Sequence, residues 1–299
     1  MKIERLDGAI YRAAEGFERE LEGELDDARP IGGGLYLAPG RRAEWAIDVW
    51  SEPVRITFDK LAGAASALLS LGPRWTLLPV ALFDRAAHVE RMLPPCPLEP
   101  IRFPARPPPA PGVWTLAARN EIYASAKTAS PFPAGEPRFV EDKTHPPSRA
   151  YLKLWEALTL LGEHPKRGDV AIDLGSSPGG WTWVLQSLGA RVVSVDKAPL
   201  APAIAKLPRV ESRQESAFAL DPRSFSRVDW LVSDVICFPE RMVALVLRWL
   251  AAHPKARFVV TIKLKGATDT RALDPLRAVP GSRLVHLFHN RHELTWMRP

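Results

Sequence analysis

Val170-Ala171-Ile172-Asp173-Leu174-Gly175-Ser176-Ser177-Pro178-Gly179-Gly180-Trp181 is the stretch that decides the fold. Five mostly apolar residues, bounded by glycine, predict a strand buried on both faces. Three glycines at the strand-to-helix turn let backbone approach a ligand closely, in the crevice where open α/β sheets bind cofactors. The spacing is not G-x-G-x-x-G, and Pro178 has no amide to offer a pyrophosphate. That disfavours a dinucleotide and favours a ligand without phosphates at this point. Taken alone, such a turn could also be a tight connection and nothing more.

Working outward, strands and helices alternate. A helix is predicted over Trp181–Leu188, then a strand over Arg191–Val195 that runs into Asp196. An acidic side chain at the end of the second strand can accept both hydroxyls of a ribose. A strand over Val228–Ser233, a helix over Arg241–Ala251 and a strand over Phe258–Ile262 follow. This pattern predicts a Rossmann-like α/β domain over residues 141–299 with a mostly parallel sheet. Leu284–Phe288 and Leu294–Met297 flank His289-Asn290-Arg291-His292, which predicts a terminal antiparallel hairpin at the sheet edge. Upstream, Pro146-Pro147-Ser148 marks a stop with Ser148 as an N-cap. Leu154, Ala157, Leu158 and Leu161 then recur at helical spacing.

Residues 1–140 read as a smaller α+β domain. Helices are predicted over Gly16–Leu25 and Leu61–Leu71, and strands over Trp75–Phe83, Val113–Ala118 and Ile122–Ala126. Nine prolines between Pro94 and Pro111 make that segment extended or turn-like. The chain of 299 residues carries a net charge of +6, unevenly spread. Residues 1–50 hold seven Lys/Arg against eleven Asp/Glu, whereas residues 251–299 hold nine against three. A basic C-terminal region suits a phosphate-rich partner, though chance and solubility explain charge alone equally well. No apolar run is long enough to cross a bilayer, no signal peptide is visible, and two distant cysteines argue against a disulfide framework. A cytoplasmic protein is expected.

Four further residues carry chemistry. Asp234 follows the strand ending at Ser233, at the same carboxyl edge as Gly175 and Asp196. Lys263 ends an apolar strand, where a lysine is costly unless paired or neutral; a snorkelling lysine is the plain alternative. Glu293 opens the final strand, and Lys153 lies on the polar side of the helix beginning near Arg149. His286, His289 and His292 recur every third residue. That spacing does not keep one face of a strand, and no cysteine or carboxylate cluster joins them, so no metal is expected. Cys237 reads as a small core residue, and one of Trp181 and Trp183 must face inward.

At these residues the chain resembles a known family. Ser148-Arg149-Ala150-Tyr151-Leu152-Lys153-Leu154, the D-L-G-x-x-P-G-G-W loop and the set Lys153, Asp234, Lys263 and Glu293 resemble the FtsJ/RrmJ-like RNA 2′-O-ribose methyltransferases. Ser130-Pro131-Phe132, Gly135-Glu136-Pro137-Arg138, Ile262-Lys263-Leu264 and Phe288-His289-Asn290-Arg291 look most like the RlmM group, which methylates a cytidine ribose of 23S rRNA. The resemblance implies S-adenosyl-L-methionine, bound by Asp173, Gly175, Ser176, Ser177, Pro178, Gly179, Gly180, Trp181, Asp196, Glu215, Ser216 and Asp234. It also implies an RNA partner, 23S rRNA or a large-subunit precursor, and a Lys153–Asp234–Lys263–Glu293 catalytic tetrad. Lys263 is expected to act as base or to orient the 2′-hydroxyl, its pKa lowered by Lys153 and by burial. Asp234 would orient Lys263, and Glu293 would position Lys153 or the ribose. Two departures stand out. The N-terminal part is short for an RNA-positioning THUMP-like module and is interrupted by prolines. After the third strand comes Gln214-Glu215-Ser216, where the family places an acidic residue one position later. A non-catalytic RNA-binding or ribosome-assembly factor, or a methyltransferase for another RNA, a protein or a small molecule, are the competing readings.

Overall fold

The computed structural model describes residues 1–264 and 268–299. The chain divides into two compact units, Met1–Arg138 and Phe139–Pro299.

The N-terminal unit is richer in strands than its sequence suggests. One five-stranded sheet runs Lys2–Arg5, Val54–Thr57, Glu121–Ser125, Gly112–Ala118, Trp75–Leu77, and a second runs Lys127–Thr128, Ala46–Ser51, Ala9–Ala13, Leu35–Ala38, Arg29–Gly32. Alternation along the strands decides which side chains go where. Trp114, Ile122 and Ala124 face helices Leu61–Leu71 and Phe83–Glu90, whereas Val113 and Tyr123 pack with Ile10, Leu35, Leu37 and Trp50 of the second sheet. The helices Glu18–Glu24 and Leu61–Leu71 fall where the periodicity puts them. The single strand expected over Trp75–Phe83 does not form. It stops at Leu77, Pro79 lacks the donor a ladder needs, and Phe83 opens a helix instead. The proline-rich segment forms neither helix nor extended strand.

The C-terminal unit is the Rossmann-like α/β domain. Its sheet of seven strands runs Val210–Gln214, Arg191–Asp196, Val170–Leu174, Trp230–Ser233, Arg257–Lys263, Glu293–Arg298, Arg283–Val285. The first five are parallel, and Glu293–Arg298 runs antiparallel to both of its neighbours. The terminal hairpin therefore exists, but its last strand is inserted inside the sheet and Arg283–Val285 forms the edge. Strand order reverses between Val170–Leu174 and Trp230–Ser233, so a crevice opens past Leu174 and Ser233. Right-handed crossovers on the two sides of that point put helices Gly180–Ser187 and Pro239–Ala252 on opposite faces. Both faces are thus covered, which explains why Ala171, Ile172, Leu174, Val192, Val232, Val259 and Val260 are all buried.

Helix Tyr151–Leu161 corrects two expectations. Ser148 is not its cap: Ala150 holds the cap position and no side chain caps the helix. Nor does Lys153 lie on a polar side. Every residue from Tyr151 to Leu158 is buried, Lys153 and Glu156 included. A helix covered all round keeps charged residues only where partners meet them.

Candidate active site

The glycine turn is shaped by close approach. Gly175 has φ +77°, and a Cβ built on it would lie 2.5 Å from Val235 Cγ2. Gly179 has φ +115°, and its Cβ would lie 2.7 Å from Ile204 Cγ2. Both positions need the left-handed backbone that glycine adopts without strain, and both leave no room for a side chain. The Ser176 hydroxyl is buried with no partner, a polar atom aimed at something that the protein itself does not supply. Ser177 is tied down instead, its hydroxyl donating to Pro199 O at 2.9 Å and its amide to Asp196 Oδ2 at 3.1 Å. The Asp196 Oδ1 accepts from the Ala198 amide at 2.9 Å. Each oxygen of Asp196 keeps one lone pair for further donors, as a ribose diol would need.

Asp173 is buried, its Oδ2 accepting from Thr182 Oγ1 at 2.7 Å; that hydroxyl also lies 2.6 Å from Ser194 Oγ. Burial pushes the Asp173 carboxyl up to about 7, with Asp234 and Asp196 adding to the rise and Thr182 opposing it. Asp173 therefore braces the turn from beneath. Trp181 points inward and donates from Nε1 to Ala150 O at 2.9 Å, linking the turn to the start of helix Tyr151–Leu161. Trp183 is half-buried against Tyr151 and Trp155. Glu215 is half-buried just past the strand end at Gln214, which pairs with Asp196; the Ser216 hydroxyl accepts from the Phe218 amide at 3.3 Å.

The four candidate catalytic residues meet in a ring of alternating charge. Lys153 Nζ lies 2.5 Å from Glu293 Oε1 and 3.3 Å from Asp234 Oδ1. Lys263 Nζ lies 2.5 Å from Asp234 Oδ1 and 2.5 Å from Glu293 Oε2. Two members lie on the sheet itself and a third directly past the end of a strand. Lys263 and Glu293 are directly opposed in the antiparallel pair, and Asp234 follows Ser233, the last residue of the adjoining strand to pair with it. Lys153 comes down from the helix.

The charges differ from the sequence expectation. Burial does press the Lys263 pKa downward, but Asp234 and Glu293 both bond to its ammonium and outweigh burial. Its pKa is raised above the ordinary 10.5, not lowered. Lys153 fails to depress it because each lysine has two carboxylates for immediate neighbours. Glu293 shows the mirror image: burial pushes its pKa up, and Lys153 and Lys263 together bring it below 4.5. The resting ring is two ammoniums and two carboxylates, with Asp234 Oδ2 its least engaged oxygen, 3.5 Å from Lys153 Nζ.

One contributor is new. Glu156, one helical turn past Lys153, is buried and accepts from the Phe288 amide at 2.7 Å, the His289 amide at 3.1 Å and His289 Nδ1 at 2.6 Å. It anchors the loop that leads into Glu293. A glutamate three residues after a candidate lysine on one helix face was the available signal. Of the three histidines, His286 approaches Arg291 O and His292 approaches Thr268 Oγ1. No group of residues able to hold a metal occurs among the described residues, and none of their helices is long and apolar enough to cross a membrane.

Residues 146–266 match the family model described as FtsJ-like methyltransferase. Among curated relatives, "Ribosomal RNA large subunit methyltransferase M" of Halorhodospira halophila is 40% identical over 185 residues, covering 59% of this chain and 53% of that protein. The proteins of the same name from Aromatoleum aromaticum and Alkalilimnicola ehrlichii are 36% and 34% identical, covering 50% and 61% of this chain and 44% and 54% of their own lengths. The chain spans about half the length of the curated relatives it matches.

Proposed function

We propose that this chain transfers a methyl group from S-adenosyl-L-methionine to a ribose 2′-hydroxyl of RNA, with large-subunit ribosomal RNA as its substrate. The observation that carries the proposal is the Lys153–Asp234–Lys263–Glu293 ring, at the carboxyl edge of the sheet beside a glycine turn. The FtsJ-like match and the names of the relatives support the same reading. The turn suits the cofactor: Gly175 and Gly179 allow close approach, the Ser176 hydroxyl lacks a partner, and Asp196 has acceptor capacity for a ribose.

Held by Gly175, Ser176, Gly179 and Asp196, the cofactor would supply an electrophilic sulfonium methyl, and its carbon–sulfur electron pair would leave with sulfur as the 2′-oxygen gained the carbon. The protein must align the hydroxyl and remove its proton. Lys263, held as an ammonium, orients and polarises the 2′-oxygen as a hydrogen-bond donor. The hydroxyl proton becomes strongly acidic as the oxygen bonds to carbon, so a nearby carboxylate is a sufficient acceptor. Asp234 Oδ2 is the acceptor in this proposal. Glu293 and Lys153 fix the positions of the other two. The N-terminal unit serves as an RNA-positioning module, and the protein acts in the cytoplasm.

The test is incubation with labelled cofactor and ribosomal RNA from a strain lacking the enzyme. Label at one ribose of large-subunit RNA, resistant to alkaline cleavage, is the expected result; label in protein or small molecules alone would overturn the proposal. Lys263→Met should abolish transfer while leaving cofactor affinity within about threefold, as expected of a group acting in the transition state.

A further inference from the structure

The loop between Asp234 and helix Pro239–Ala252 presents two large apolar side chains to solvent. Ile236 is 74% exposed and Phe238 64% exposed, with buried Cys237 between them. Alternation explains the arrangement: one residue anchors the loop inward and its two neighbours must point out. Neither end of the loop is free to fold them away. Val235 lies against Gly175, and Phe238 O accepts the Arg241 and Met242 amides of the first helical turn at 3.1 and 3.2 Å. The two side chains thus form a fixed apolar step two and four residues beyond Asp234.

The surroundings say what covers it. Lys197 and Arg291 are exposed on loops at the same carboxyl edge, after Asp196 and before Glu293, and Arg241 is exposed in the first turn of helix Pro239–Ala252. Apolar faces among cations fit a ligand with flat, stackable rings and a polyanionic backbone. An RNA duplex hides its ring faces, and a single strand offers them. We infer that Phe238 and Ile236 form a stacking platform for an unstacked base of the target or adjoining nucleotide, so that the enzyme acts on single-stranded or opened RNA. This rests on the reading of the ring as an RNA-methylating site.

The test uses a short single-stranded RNA carrying 2-aminopurine, titrated with the full chain and read by fluorescence. Ile236→Ala with Phe238→Ala should weaken binding about 5- to 100-fold, the range for losing one stacked base. Phe238→Leu keeps an apolar side chain at the helix start and removes only the ring, so a loss there reports stacking and not misfolding. Phe238→Trp should restore affinity to within about threefold, with S-adenosylmethionine binding unchanged in all variants. Variants that bind the single strand within twofold of the wild type would overturn the inference, as would equal wild-type affinity for duplex RNA; the step would then serve a protein partner. Binding that depends on Phe238, in a wild-type protein that labels no RNA, would leave the platform standing and remove the proposed activity.

Discussion

Glu293→Gln tests the ring most directly, because Glu293 alone bonds both lysines at 2.5 Å. The Glu293 side chain is 6% exposed, Lys153 9% and Lys263 18%, so solvent gives little compensation. The substitution leaves two ammoniums facing one carboxylate. Breaking a buried pair by removing one partner costs about 3–5 kcal/mol. The substituted amide still accepts one hydrogen bond and Asp234 is partly solvated, so about 3 kcal/mol is the expected loss. The readout should be local, since two units need not unfold together. Hydrogen exchange of the Leu294–Arg298 amides suits this, and at about 1.4 kcal/mol per tenfold their protection should fall about 100-fold. The pH dependence follows from the signs of the shifts. Glu293 has a lowered pKa, so its contribution is present above 4.5 and lost as pH falls through its folded value. Lys263 has a raised pKa, so its contribution is present below 10.5 and lost as pH rises through its folded value. The variant should lose the acid limb and begin its basic decline earlier. Protection within about fivefold of wild type at pH 7, or an unchanged acid limb, would refute the ring as a coupled structure.

Three further outcomes follow from the same geometry. If Lys263 works as an ammonium, the transfer rate should stay level from pH 7 to 9 in a stopped-time assay; a rise of about tenfold per pH unit would restore Lys263 as the base. Glu156→Gln weakens three hydrogen bonds into the loop before Glu293, and charge-assisted bonds contribute about 1.5–3 kcal/mol each, so kcat should fall at least tenfold with S-adenosylmethionine affinity unchanged by calorimetry. Gly175→Ala places a methyl 2.5 Å from Val235 at φ +77° and should weaken cofactor binding more than about tenfold, while thermal melting still shows a folded chain.

The C-terminal sheet was legible because strands buried on both faces read as continuous apolar runs, and those over 170–174, 191–196 and 257–263 are of that kind. The strands of the first sixty residues were not. Their strands are four to six residues long, and Lys2–Arg5 and Arg29–Gly32 carry no buried residue at all. Such edges are held by their neighbours and leave no period of their own. Lys153 was identified but misplaced, since apolar periodicity gives one face of a helix and says nothing of what covers the other. Here Asp234, Glu293 and the loop held by Glu156 cover it. The ring was legible as four residues and illegible as a charge state. Whether a lysine is neutral or ammonium depends on which neighbour is nearer, and only distances of 2.5 Å to two carboxylates settle that against burial.

Register explains why the ring can be built from such distant parts of the chain. Lys263 faces Glu293 because the strands ending and beginning there are in register along six residue pairs, from Phe258 with Arg298 to Lys263 with Glu293. A slip of one residue would send one of the two charges to the opposite face of the sheet. The buried residues on those strands, Phe258, Val260, Ile262, Leu294 and Trp296 among them, penalise that slip heavily. The apolar core therefore acts at the site through geometry: it fixes which two charged groups are opposed, and the carboxyl edge fixes the height at which Asp234 joins them. Helix Tyr151–Leu161 then closes the ring with Lys153 and, through Glu156, holds the loop from which Glu293 emerges. One helix thus sets both the charge that completes the ring and the position of the carboxylate it meets.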